Sequence, residues 1–291
     1  MYQVPMNAID LHCHTNASDG LLSPAEVVAY AAQLGMETIA ITDHDTVDGV
    51  AEGLAAAARW GIEVIPGVEI NTDVPQGEMH ILGYFFNDGW QDAELGALLR
   101  RLREGRVVRA RKMVEKLTAL GMPISFERVQ ELAGRGTIGR MHVARALVEA
   151  GYVATPQEAF DCYIDRHGPA YVERFKLSPS DACRAIARAG GLPVLAHPLA
   201  AVTNGVSVTT DLEARLPALR EAGLVGMEVY YPRYTALMMD QLLALARRFD
   251  LIPTGGSDYH GPMPDKPELG SVYVPRRCLR RLREAASLRN R

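Results

Sequence analysis

From Asn7 to His14 (NAIDLHCH) small or apolar side chains alternate with polar ones. That period of two predicts a strand with Asp10, His12 and His14 on one face and Cys13 on the other. Ser23-Pro24-Ala25-Glu26 then offers an N-cap, a proline in the first turn and a reciprocal acid, which predicts a helix running to Gly35. The strand-then-helix order recurs. ETIAITDHD precedes a helix ending near Trp60-Gly61, and EVIPGVEIN and MHILGYFF follow. A capped helix from Ser178 to Gly190 leads to GLPVLAHP, then come GMEVYYP, a helix over 234–249, and LIPTGGSDYH. Seven candidate strands result. Most are continuous Val/Ile/Leu runs, as in parallel strands buried on both faces. The predicted class is α/β, a closed or nearly closed parallel barrel.

Residues 100–165 interrupt that rhythm with three helical patterns and no convincing strand between them. The expected domains are therefore a barrel formed by 1–99 with 166–291 and a helical insertion at 100–165. The tail CLRRLREAASLRNR reads as a solvated terminal helix.

Composition narrows the class further. With 291 residues, 48% hydrophobic and 23% charged, the chain is an ordinary globular one. The opening MYQVPMNAID has no basic segment followed by an apolar run, and no stretch approaches the roughly 18 apolar residues of a membrane helix. A soluble protein without a membrane association is expected. Cys13, Cys162, Cys183 and Cys278 lack CxxC spacing, so neither a disulfide framework nor a thiolate zinc site is indicated, and a reducing cytoplasm is the expected location. A formal charge of -4 excludes a generally basic surface, although Arg100–Lys116 carries eight basic residues against Glu104 and Glu115. That run suits either nucleic acid or an ordinary solvated helix face.

The histidines carry the chemistry. His12 and His14 end the first strand, His44 lies between Asp43 and Asp45 at the end of the second, and Glu69 ends the third. His80 lies on the fourth, His197 closes the fifth, and Asp258 and His260 close the seventh. In parallel α/β barrels the carboxyl ends of the strands converge on one mouth. Imidazoles and carboxylates gathered there without thiolates are a donor set for divalent zinc, manganese or iron. Cys13, facing away, reads as a small buried hydrophobe.

The motifs HCH at 12–14, DHD at 43–45, Glu69 in GVEIN, His80, His197 in LAHP and Asp258-Tyr259-His260 in GSDYH span nearly the whole chain. Together they resemble the polymerase and histidinol phosphatase (PHP) family of metal-dependent phosphoesterases. The resemblance implies a distorted (β/α)7 TIM-like barrel with a small, substrate-capping helical insertion domain. It also implies three divalent ions, manganese first, with zinc or iron as alternatives. One ion would take His12, His14, Glu69 and Asp258. A second would share Glu69 with His80 and His197, and a third would take Asp19, His44 and His260. Glu69 and Asp258 are the expected catalytic carboxylates. Hydrolysis would proceed by hydroxide held on the metals, with His142, Asp45 or water as proton donor.

The insertion segment RGTIGRMHVARALVEAG resembles that of stand-alone PHP proteins acting on nucleotides. This makes Arg135, Arg140 and His142 candidates for holding a second phosphate, because a guanidinium fork matches phosphate geometry. The implied function is a phosphatase removing the 3'-phosphate of 3',5'-bisphosphonucleotides, pAp to AMP plus phosphate. Alternatives are a 5'-to-3' exonuclease on short RNA, another phosphomonoesterase such as histidinol phosphatase, carbon-nitrogen hydrolysis, and a non-catalytic scaffold. A small nucleotide is the expected partner, and no obligate protein partner is evident. His167 reads as structural or as a distant substrate contact, and Lys176 and Arg233 read as surface residues.

Overall fold

The structure is a computed structural model that describes residues 8–74, 77–134, 136–199, 208–263 and 266–289. The chain divides into two compact units, 1–96 with 177–291 and 97–176. The strands are β1 (Ile9–Cys13), β2 (Thr38–Ile41), β3 (Glu63–Val74), β4 (Gly77–Tyr84), β5 (Leu192–Leu195), β6 (Gly226–Tyr230) and β7 (Ile252–Gly255). The helices are α1 (Pro24–Gln33), α2 (Val50–Trp60), α3 (Ala93–Ala119), α4 (Phe126–Ala133), α5 (Arg140–Glu149), α6 (Pro156–Ala159), α7 (Pro179–Arg188), α8 (Val208–Glu221), α9 (Ala236–Arg248) and α10 (Arg276–Arg289). Among the described residues no helix is long and apolar enough to cross a membrane.

Local sequence sets the boundaries of these elements. The Ser23 hydroxyl accepts the Glu26 backbone N–H while the Glu26 carboxylate accepts the Ser23 N–H, so α1 begins in a reciprocal cap with Pro24 in its first turn. At the other end of α2, Gly61 takes φ 70°, a left-handed turn that glycine adopts without side-chain penalty.

The first unit contains one seven-stranded sheet in the order β1 to β7. Every residue of β1, β2 and β5 is buried, which explains the apolar runs of β2 and β5 and means that Asp10 and His12 of β1 need polar partners inside the protein. Pairings β1–β2, β2–β3, β5–β6 and β6–β7 are parallel. Strand β4 is antiparallel to both β3 and β5, which corrects the all-parallel expectation. The reason is chain length: Val74 pairs with Gly77, and a link that short can only turn back as a hairpin, whereas a parallel return needs a crossover of about a dozen residues.

The sheet nearly closes on itself through the segment after β7. Cys13 bridges Tyr259, and the His14 N–H donates to the Tyr259 carbonyl at 2.8 Å. Asp10 reinforces this seam, its carboxylate accepting the N–H groups of Ser257 (2.9 Å), Gly270 (2.9 Å) and His12 (3.2 Å).

Helix α10 corrects a second expectation. Cys278, Leu279, Leu282 and Ala286 are buried in one apolar cluster with Ile9, Leu82 and Val194, so the terminal helix is amphipathic and packs on the sheet core. The second unit has its own core, built from Met113, Leu117, Phe126, Val129, Val143, Leu147 and Ile164.

At Gly256 the seam leaves no room for a side chain. A Cβ there would lie 2.4 Å from the His12 nitrogen and 2.7 Å from Asp10 Oδ1. Gly256→Ala is expected to destabilise the protein by about 1–3 kcal/mol, the usual cost of overpacking, read as a lower urea midpoint. An unchanged midpoint would mean that the seam yields freely.

Candidate metal centre

Each candidate ligand owes its place to backbone pairing. Beyond β2 the Asp43-His44-Asp45 segment continues alongside β3, with the Glu69 N–H donating to the Asp43 carbonyl (3.1 Å) and the Asp45 N–H to the Glu69 carbonyl (2.9 Å). This sets His44 beside Glu69. The neighbouring acids act on the scaffold: Asp43 accepts from the Thr15 N–H (2.7 Å), the Thr15 hydroxyl (2.8 Å) and the Ser18 hydroxyl (2.6 Å), anchoring the loop that carries Asp19. Asp45, a sequence candidate for proton donor, accepts the Asn71 N–H at 3.1 Å. In the hairpin, Asn71 lies opposite His80, and their side chains meet at 2.8 Å.

Glu69 is fully buried, and five imidazoles converge on it. Its Oε1 lies 2.8 Å from His80 Nδ1 and 3.0 Å from His197 Nε2. Its Oε2 lies 2.9 Å from His44 Nδ1, 3.2 Å from His14 Nε2 and 3.3 Å from His12 Nε2. Asp258 Oδ1 approaches His14 Nε2 at 3.1 Å and His12 Nε2 at 3.4 Å, while the Tyr231 hydroxyl donates to Asp258 Oδ2 at 3.0 Å. Asp19 is 3.6 Å from His260, 3.8 Å from His14 and 3.9 Å from His44.

Among the described residues, three overlapping groups have donor atoms within 4.8 Å of one another: His12, His14, Glu69 and Asp258; His14, Asp19, His44 and His260; and His44, Glu69 and His80. His197, expected beside His80, contacts the same Glu69 oxygen as His80 does.

Divalent cations fit this donor set. His14 Nδ1, His44 Nδ1 and Glu69 Oε2 are buried without a hydrogen bond, although His44 Nδ1 and Glu69 Oε2 stand only 2.9 Å apart. Unsatisfied polar atoms packed this closely are costly unless a cation lies among them. Two of the candidate ligand positions also have a backbone in the left-handed region, His197 at φ 22° and Asp258 at φ 57°.

Electrostatics repeats the pattern. Burial alone would raise the Glu69 carboxyl, but His44, His12 and His80 hold it well below the usual carboxylate range. Burial opposes charge on His14 and His80, yet Asp258 and Glu69 lift His14 to about 10, and Glu69 and Glu78 lift His80 to about 9. His260, pressed by burial and by His14, falls to about 4.

Other sequence candidates lie in different surroundings. Arg135 is outside the described residues. Arg140, in the second unit, pairs with Asp165 Oδ1 at 2.9 Å and lies over the Phe160 ring. His142 is buried there, accepting the Gly139 N–H at Nδ1 in the first turn of α5. His167 and Arg233 are exposed. Cys13 is fully buried, and burial pushes its thiol well up, as a small core hydrophobe requires. Sequence reasoning missed Tyr231 and Glu228; the available signal was an acid and a phenol within the buried run GMEVYYP, where each needs a polar partner.

Comparison with known proteins agrees with this geometry. Residues 10–95 match the PHP domain model. A 5'-3' exoribonuclease of Haemophilus influenzae is 36% identical over 253 residues, 87% of this chain and 90% of its own. The chain belongs to the PHP family. A second PHP relative, a 3',5'-nucleoside bisphosphate phosphatase of Chromobacterium violaceum, is 36% identical over 258 residues, 88% of each chain. A crystal structure from Bifidobacterium adolescentis, provisionally described as a metal-dependent phosphoesterase, matches with a TM-score of 0.83 at 31% identity, covering 96% of both chains. This PHP protein is thus a phosphoesterase with a His/Asp/Glu cluster suited to divalent metal.

Protons and metal compete for the same nitrogens, since an imidazolium has no lone pair to give. With His14 at about 10 and His80 at about 9, loading the metal-free protein with Zn2+ is expected to release protons near neutral pH. Apparent affinity should therefore rise from about pH 6 to about pH 9. Calorimetry in two buffers of different ionisation enthalpy measures the release; equal heats in both would show that the rings are already neutral.

Proposed function

We propose that this PHP protein is a phosphomonoesterase that removes the 3'-phosphate of 3',5'-bisphosphonucleotides, converting pAp to AMP and phosphate. The carrying observation is the Glu69 hub, where one buried carboxylate touches five imidazoles and offers an oxygen to each side. The Chromobacterium violaceum relative, whose activity bears that name, aligns over 88% of both chains. In this reading three divalent ions are held, one by His12, His14, Glu69 and Asp258, one by Glu69, His80 and His197, and one by Asp19, His44 and His260. Manganese is the first candidate, with zinc or iron open, because imidazole and carboxylate suit all three. Such ions, when bound, lower the pKa of water from about 15.7 towards about 7 and offset charge on phosphoryl oxygens.

The protein's own groups do the rest. Glu69, with Oε1 facing His80 and His197 and Oε2 facing His12, His14 and His44, would hold ions on both sides. Asp258, held by Tyr231, orients against His12 and His14. His142 is the proposed proton donor: with Nδ1 accepting the Gly139 N–H, a neutral ring keeps its proton on Nε2. Arg140 is proposed to hold a second phosphate, an exchange in which phosphate replaces the Asp165 carboxylate as its partner. Four free cysteines suit a reducing cytoplasm, the proposed location.

The Haemophilus influenzae relative favours a second reading, a 5'-3' exonuclease on short RNA, at the same 36% identity. Parallel kinetics on pAp and on a 5'-phosphorylated RNA trimer separate the two. The phosphatase reading expects the higher kcat/KM on pAp, and negligible turnover of pAp overturns it.

Glu69→Gln is expected to lower kcat/KM on pAp more than about 100-fold, beyond the usual cost of disturbing groups around a metal ligand. A variant with bound metal and near-normal rate would contradict the hub role. Arg140→Ala is expected to raise KM for pAp about tenfold or more while barely changing it for a simple phosphate monoester. Equal effects on both would remove the second-phosphate role.

A further inference from the structure

Strand β6 supplies none of the candidate ligands, yet Glu228 in its middle is fully buried. A buried carboxylate is costly unless it is paired or hydrogen-bonded. Its partners here are two candidate ligands from different strands. His12 Nδ1 lies 3.2 Å from Oε1 and 3.1 Å from Oε2, and the His197 backbone N–H donates to Oε2 at 2.7 Å. The opposite ring nitrogen, His12 Nε2, points at the remaining donors, 3.1 Å from His14 Nε2, 3.3 Å from Glu69 and 3.4 Å from Asp258.

We propose that Glu228 is the positioning residue of the metal centre, keeping the His12 ring proton on Nδ1 so that the Nε2 lone pair faces the ion, and clamping the His197 backbone at the same time. The two contacts have different consequences. At His12 the carboxylate selects one tautomer, fixes the ring plane and makes Nε2 a stronger donor, as acids behind metal-bound histidines do. At His197 it ties down a residue at φ 22°, in the left-handed region that a non-glycine residue leaves unless held. One carboxylate thereby prepares a ligand on each flank of Glu69 before any ion arrives. Its hydrogen bonds run to His12 and to the His197 backbone, so Glu228 acts through these two histidines.

This inference rests on the proposed function only for the ligand roles of His12 and His197, and its test reads metal binding and ring tautomer, not turnover. A failure to hydrolyse pAp would thus leave it standing. Long-range 1H–15N NMR of the zinc-loaded wild type is expected to show His12 protonated at Nδ1. Competition with a chromophoric chelator is expected to show at least one Zn2+ equivalent weakened about 10–100-fold in Glu228→Ala. Glu228→Gln, which keeps an acceptor oxygen but loses the charge, should weaken it less, by about tenfold. A His12 proton on Nε2 in the wild type overturns the proposal. Wild-type zinc affinity in Glu228→Gln does so as well, even where Glu228→Ala fails to fold.

Discussion

The centre depends on one constraint: a single buried carboxylate with two oxygens serves five imidazoles delivered by four strands and the segments that extend them. Glu69 can meet His44 because the chain after β2 keeps pairing beside β3, and it can meet His80 because β4 folds back against β3. His12 and His14 reach it from β1, and His197 from the end of β5. A negative group enclosed at this density must be matched by positive charge. In the metal-free centre protons on His14 and His80 supply part of that charge, and divalent cations would take their place on loading. Folding and loading thus share one electrostatic requirement.

Around the hub, the acids differ in what they face. Glu69 and Asp258 face imidazole nitrogens and are held well below the normal carboxylate range. Asp10 and Asp43 face backbone N–H groups and hydroxyls, and burial pushes them up. Asp45 likewise accepts a backbone N–H, that of Asn71. These scaffold acids tie the strand ends where regular pairing stops, so the ligands project from backbone that is hydrogen-bonded although it is irregular. A ligand shell on frayed strand ends would lose the small distances the chemistry needs.

Much of this was legible in the order of residues. The alternation from Asn7 to His14, the Ser23 cap and the apolar runs ending in histidine or acid identified strand ends, and strand ends identified a common rim. What escaped detection depended on pairing partners, which a one-dimensional pattern does not record. The direction of β4 turned on the shortness of the link after Val74, a length argument that the apolar content of MHILGYFF masks. Arginines dominate the composition of α10, although Leu279 and Leu282 recur at the spacing of a buried face. Glu228 looked like one acid in an apolar strand until His12, 216 positions away in sequence, proved to be its partner. Within the DHD motif three polar residues look equivalent, yet it is the middle one whose ring meets the Glu69 carboxylate at 2.9 Å.

The left-handed backbone at His197 and Asp258 carries an evolutionary consequence. Each such residue costs about 1–3 kcal/mol relative to a relaxed conformation, so the centre is built at the expense of the fold that bears it. A descendant freed from catalysis would gain robustness by admitting glycine or asparagine at these two positions, and decay of the motif there would mark lineages that have kept the barrel but abandoned its chemistry.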